Sequence, residues 1–156
     1  MYSHQSPNYQ CPFCKIAKGI EDKQVITKQS DIFYRDNNIT AFVSSHCWPN
    51  NQGNVIIIPN QHIENIYSLP DSLSHQIHDF EKQVAIALKK VYQCDGVSSR
   101  QHNEPSGNQK IWHYHLHIFP RYENDNLYQL HNQKYQADEK LRSSFANKLK
   151  NYFDNL

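Results

Sequence analysis

The apolar runs of this chain are short: Val55-Ile56-Ile57-Ile58, the core of one of them, is a few residues long. A helix needs roughly 20 apolar residues to span a bilayer, so no membrane segment is expected. Residues 1–10 are polar and lack the apolar stretch of a secretory leader, which makes cytoplasm the expected location. Neither sign of charge dominates. Sixteen Lys+Arg face fifteen Asp+Glu, a net charge of +1, with no block of like charges to track a nucleic-acid backbone. Four cysteines are too few to staple 156 residues, and no internal repeat or low-complexity segment is present. A chain of this length suits one domain with its own core.

Elements of both kinds are present. Residues 1–10 read as a loose arm, and a short turn or helix is expected over 11–20. Strand-like stretches follow at 31–35 and 39–44, then a loop over 46–54 leads into a strand at 55–58. In 71–94 the apolar positions Leu73, Ile77, Phe80, Val84, Ala87, Leu88 and Val91 recur at helical spacing, with Pro70 ahead and Asp95-Gly96 behind, which predicts one long amphipathic helix. A strand is expected over 97–103, a loop over 104–109 and a strand over 111–119. From Ala137, Leu141, Phe145, Leu149 and Phe153 repeat every four residues, predicting a terminal helix. The order of elements indicates an α+β fold.

The chemistry concentrates in the strand expected over 111–119. Strand side chains alternate between faces, which puts His113, His115 and His117 on one face with Ile111 and Phe119, while Trp112, Tyr114, Leu116 and Ile118 share the other. At a rise of about 3.3 Å per residue, successive histidines lie roughly 6.6 Å apart along the strand. That suits contacts to one extended ligand. A row of three imidazoles has no packing rationale, and the bland alternative is a solvated face that happens to be rich in histidine.

Cys11-Pro12-Phe13-Cys14 has the spacing of two thiolates in a tetrahedral zinc site. Two ligands are not a site, so partners must come from elsewhere, with His62 and one triad histidine as candidates. A redox pair would want a thioredoxin-like βαβ context that the antiparallel pattern does not offer; thiols packed in the core are the remaining alternative. Cys47 and Cys94 lack such a spacing. The loop Asn103-Glu104-Pro105-Ser106-Gly107-Asn108-Gln109 is rich in small and amide side chains and can aim donors at an anion, although the same residues make ordinary turns.

The segment from Trp112 through Arg121, with three histidines alternating with hydrophobic residues, resembles the signature of the histidine triad (HIT) family. Cys11-Pro12-Phe13-Cys14-Lys15-Ile16, Thr40-Ala41-Phe42-Val43, Val55-Ile56-Ile57-Ile58-Pro59-Asn60-Gln61-His62, Asn103-Glu104 and Gln109 fall in family order. The likeness covers residues 11–122 and leaves 123–156 as an extension carrying the terminal helix. It implies an antiparallel sheet of about five strands with a long helix, often paired as a homodimer through that helix and an edge strand. It also implies a nucleotide-containing small molecule as ligand and His115 as a nucleophile that attacks the α-phosphorus, forming a nucleotidyl-histidine that water hydrolyses. An ordinary histidine titrates near pH 6.5, so part of it is neutral at pH 7.

By the same likeness His117, Asn103 and Gln109 hold the phosphate, Phe13, Ile16 and Phe42 contribute to an apolar base pocket, and Cys11, Cys14, His62 and His113 bind a structural zinc. Three departures bear on the chemistry. Asn54 stands where many members have a histidine, Ser44 where an acidic residue often meets the ribose, and Lys110 where a small residue often follows Gln109. An amide cannot relay a proton as an imidazole does. The implied activity is hydrolysis of a nucleotide phosphoramidate or dinucleoside polyphosphate. Transfer of the nucleotide to a second phosphate is one alternative and nucleotide binding without turnover another; a catalytic metal held by His113, His115 and His117 would leave the cysteine pair idle and lacks an obvious carboxylate base.

Overall fold

The computed structural model describes residues 2–156. Its centre is an antiparallel sheet of β1 (Ile32–Arg35), β2 (Ile39–Val43), β4 (Val55–Pro59), β5 (Gly96–Gln101) and β6 (Leu116–Arg121), in the order β1-β2-β4-β6-β5. Five strands and a long helix agree with the sequence reading. Helix α1 (Pro12–Ala17) precedes the sheet, α2 (Asp71–Val91) separates β4 from β5, and α3 (Glu139–Asp154) closes the chain.

One face of the sheet is covered by α2 and α3. Ala41, Val43, Val55, Ile57, Leu116 and Ile118 point to this side and meet Ile77, Phe80, Val84, Ala87 and Leu88 of α2 and Ala146 and Leu149 of α3. Each Val, Leu, Ile or Phe side chain among them contributes about 1.5–3 kcal/mol when fully buried. Phe42, Ile56 and Ile58 point to the opposite face and pack under Cys11, Phe13, Ile16 and Val25. Every residue of β2 and β4 is therefore buried, and this is why their sequences run apolar rather than alternating.

Asp138 caps α3 by accepting from the Leu141 N–H at 2.8 Å. The helix lies close over the chain: a side chain on Gly53, at φ +77°, would sit 2.7 Å from the Phe145 ring. Arg142, on the buried side of α3, donates to Asp31 (2.9 Å) and to the carbonyls of Ala137 (2.6 Å) and Ile26 (3.1 Å).

Two departures from the sequence reading shape the site. The loop expected over 46–54 contains β3 (His46–Cys47), which pairs with β7 (Tyr135–Gln136) in a small second sheet. Residues 123–137 are thereby folded back across the molecule, with Leu127 packed on Trp48 and Phe119. The strand expected over 111–119 begins regular pairing only at Leu116. Its first half bends, because the His113 N–H bonds the Ile111 carbonyl (2.8 Å) and the Tyr114 N–H bonds the Ile63 carbonyl (2.6 Å) instead of a neighbouring strand. His113 and His115 thus precede β6, and only His117 lies on it.

Candidate active site and metal centre

Inward alternation survives the bend. Tyr114, Leu116 and Ile118 belong to the helix-side core, and the histidines turn the other way. They are not solvated as their polarity would suggest: His113 is 0% and His115 6% exposed.

His115 Nδ1 lies 2.7 Å from the carbonyl oxygen of His113. A carbonyl only accepts, so the ring proton belongs on Nδ1 and the lone pair on Nε2. Burial pushes the His115 pKa down to about 4. The neutral ring is therefore the ordinary state at pH 7, a larger neutral fraction than an unperturbed imidazole has. Phe13 meets the ring edge-on at 5.2 Å between centroids and His117 at 5.0 Å. His117 stacks on Phe119 at 5.8 Å, and its Nδ1 is buried without a partner. Burial also holds the His117 pKa well below the usual value. Asn54, fully buried, has no partner for either amide atom.

His115 and His117 form part of the wall of a cleft of about 350 Å³. Its apolar end is made by Phe13, Phe42, Ile56 and Ile111. Of the pocket residues expected from sequence, Phe13 and Phe42 are there. Ile16 is not; at 2% exposure it packs beneath the cleft.

Asn103 and Gln109 do not line the cleft; their amides tie the loop to residues 64–66 and to its own flanks. Gln109 donates to the carbonyls of Glu64 (2.6 Å) and Ile111 (3.0 Å) and accepts from the Glu104 N–H (2.9 Å). Asn103 accepts from the Ile66 N–H (2.8 Å) and exchanges hydrogen bonds with Gln101. They brace the loop, and Asn108, with His102 and Lys110 on its two flanks, lines the cleft. Gly107 is required there, since a Cβ would fall 2.0 Å from the Asn103 carbonyl oxygen.

The sequence reading did not single out Arg100, Trp48, His131 or Lys134, which line the far end of the cleft. They come from β5, the loop after β3 and the folded-back segment. No local spacing connects them; the pairing of β3 with β7 and of β5 with β6 does.

Beside the cleft, Cys11, Cys14, His62 and His113 offer ligand atoms that all lie within 4.8 Å of one another. Cys11 Sγ is 3.3 Å from His113 Nδ1, and Cys14 Sγ is 3.2 Å from His62 Nδ1. Each imidazole turns its other nitrogen to an oxygen: His113 Nε2–H donates to the Pro59 carbonyl (2.9 Å) and His62 Nε2–H to Gln5 Oε1 (2.8 Å). Both Nδ1 atoms then carry lone pairs toward the thiols, the arrangement in which outer hydrogen bonds orient metal-binding histidines. Burial pushes the Cys11 thiol up to about 12, so a thiolate there needs a cation against it. Two thiolates and two neutral imidazoles fit the donor set of tetrahedral zinc.

Gln5 belongs to the segment expected to be a loose arm, and it is not alone in making contacts. The His4 N–H bonds Glu64 (2.6 Å), and Tyr9 Oη accepts from the Trp112 N–H (3.2 Å).

Comparison with known proteins gives this arrangement its context. The HIT domain pattern matches residues 26–124. Protein hit of Bacillus subtilis is 32% identical over 113 residues, covering 72% of this chain and 71% of that protein. An adenylylsulfatase of Arabidopsis thaliana is 26% identical over 118 residues, 76% of this chain and 55% of its own length. The zinc-bound histidine triad family protein of Mycobacterium smegmatis shares the fold, with a TM-score of 0.74 at 20% identity over 94% of each chain. With the domain pattern matched over most of its length and a relative of this identity, the chain belongs to the HIT family.

Proposed function

We propose that this protein hydrolyses a nucleotide at its α-phosphorus through a covalent nucleotidyl-histidine on His115. The observation that carries the reading is the tautomer: the carbonyl of His113 fixes the proton on Nδ1 of His115, leaving Nε2 unprotonated in a ring that lines the cleft. A nucleobase fits the apolar end against Phe13, Phe42 and Ile56. The α-phosphate would then lie over His115 and His117. Nucleophilic attack and hydrolysis of the adduct divide one difficult displacement into two easier ones. Kinship to an adenylylsulfatase is in keeping with chemistry at an adenylyl phosphorus.

Cys11, Cys14, His62 and His113 would hold a structural zinc, whose chemistry is to lock thiolate and imidazole ligands in place. The protein's own share is to fix the His113 backbone, whose carbonyl orients the nucleophile. Metal analysis of the purified protein should give one zinc per chain, lost in Cys14→Ser; protein free of metal yet fully folded and active would refute this part. Self-association through α2 and the edge strand β5 is a further part of the proposal, supported by the exposed Ile86 of α2 (43%); a monomeric mass in solution would contradict it.

A time course of AMP release from adenosine 5′-phosphoramidate and from diadenosine triphosphate tests the reading. Wild type should release AMP from at least one, and a folded His115→Ala variant should lose about a thousandfold or more. Undiminished release by the variant would sink it.

A further inference from the structure

The register of the sheet arranges the cleft in a line. Phe42 on β2 pairs with Ile56 on β4, Ile56 pairs with His117 on β6, and His117 pairs with Arg100 on β5. Directly paired residues project from the same face. Strands lie about 4.8 Å apart, so His117 stands roughly 10 Å from Phe42 along this row, and Arg100 about 5 Å further on. A nucleotide with its base on Phe42 and its α-phosphorus at the histidines would send its leaving group out over β5 to Arg100.

Among the described residues, Arg100 has no hydrogen-bond or ion-pair partner for its side chain in that position. Its guanidinium lies over Phe119 at 4.5 Å and Trp48 at 5.0 Å from the ring centroids. Its Nε is buried and unpartnered, and it makes no ion pair among the described residues. The other arginines drawn against the fold are satisfied, Arg121 by Asp125 and Arg142 by Asp31. Half-buried guanidinium is costly to leave unmatched. Lys134 adds a second cation at this end, and no Asp or Glu lines the cleft. The field at the far end is positive and its donors are uncommitted.

We propose that Arg100, flanked by Trp48 and Phe119 and assisted by Lys134, binds an anionic leaving group, so that the substrate is a nucleotide whose α-phosphorus carries a further phosphate rather than an amine. This rests on the nucleotidyl-histidine reading above. In that reaction Nε2 of His115 forms a bond to the α-phosphorus as the bond to the bridging oxygen breaks. The electron pair leaves on that oxygen, and the departing phosphate gains a negative charge, which Arg100 meets. Water then adds to phosphorus as the P–N bond breaks; the imidazole recovers its lone pair, a proton passes to solvent and the nucleoside monophosphate is released. An amine departs neutral after taking up a proton and gives the guanidinium no charge to hold.

The test compares kcat/KM for diadenosine triphosphate and adenosine 5′-phosphoramidate in wild type, Arg100→Gln and Arg100→Lys, each checked for an unchanged melting temperature. The ratio of the two should fall about tenfold or more in Arg100→Gln, the scale of one lost hydrogen bond to a charged group, and recover in part in Arg100→Lys. A ratio constant within about twofold overturns the proposal. Should Arg100→Gln fail to fold, Arg100→Lys alone must lower the ratio. Calorimetry with AMP and ADP reads the same site without turnover: wild type should prefer ADP, and Arg100→Gln should lose that preference. Absence of turnover with the ADP preference intact would remove the hydrolase reading and leave the anion site standing; equal affinity of wild type for AMP and ADP would remove the site whatever the turnover.

Discussion

Asp125 shows how much one carboxylate can organise. It accepts both forks of Arg121 (2.7 and 2.8 Å), the N–H groups of Tyr122 (3.0 Å) and Leu127 (3.0 Å), and the amide of the fully buried Asn51 (2.7 Å). The turn it ties sends the chain from β6 into the segment that places Lys134 at the cleft. The Arg121 guanidinium above all, with the backbone and Asn51 donors, holds the Asp125 carboxyl well below the ordinary carboxylate range. An unfolded aspartate titrates at about pH 4. The folded pKa being the lower one, the stabilisation is fully present above about pH 4 and disappears as pH falls toward the folded value. Urea midpoints of wild type and Asp125→Asn should therefore differ most near neutral pH and converge progressively as pH falls below about 4; a gap independent of pH would contradict this. The histidine face was legible from residue types alone, since alternation separates imidazoles from core residues whether or not the strand is regular. The tautomer of His115 was not, because it depends on a bend that only the Ile63 carbonyl and the Ile111 carbonyl reveal.

Among the elements, α3 has the clearest role. Its four-residue apolar repeat was readable, and Leu149 and Phe153 do pack inward, Phe153 stacking on Phe33 at 5.8 Å. Unreadable was Arg142, which looks like a solvated helix charge in sequence yet is 3% exposed and paired with an Asp31 that is 0% exposed. The pair locks α3 to the entry of β1, more than a hundred residues away. Removing one member of a buried pair costs about 3–5 kcal/mol, because it strands the other charge. At ~2–4 °C per kcal/mol for a chain of this size, Arg142→Ala should lower the melting temperature by about 10 °C. Arg142→Met combined with Asp31→Leu should be less damaging than the single change. A drop of only about 1–2 °C for Arg142→Ala would mean that the pair does not anchor the helix. The second sheet, β3 with β7, escaped the sequence reading for a related reason: two-residue strands carry no period, and these two pair across a long stretch of chain.

Across the whole molecule, the sheet divides labour between its two faces. One carries α2 and α3 and supplies most of the buried apolar surface; the other carries the Cys/His cluster, the histidines and the cleft. Sequence was informative about each face separately, through the helical period of α2 and the spacing of the cysteines and histidines. It was silent on the order in which residues lie across the strands, because Phe42, Ile56, His117 and Arg100 are brought into one row by register alone. On the proposed function, a substrate laid across this row becomes covalently attached to His115. Rapid mixing with diadenosine triphosphate, a denaturing quench at alkaline pH, and intact-mass and peptide analysis would detect that attachment. A transient adduct of one adenylyl group should form on His115 and be absent from a folded His115→Ala variant; turnover without any adduct, or an adduct on a different residue, would rule the attachment out.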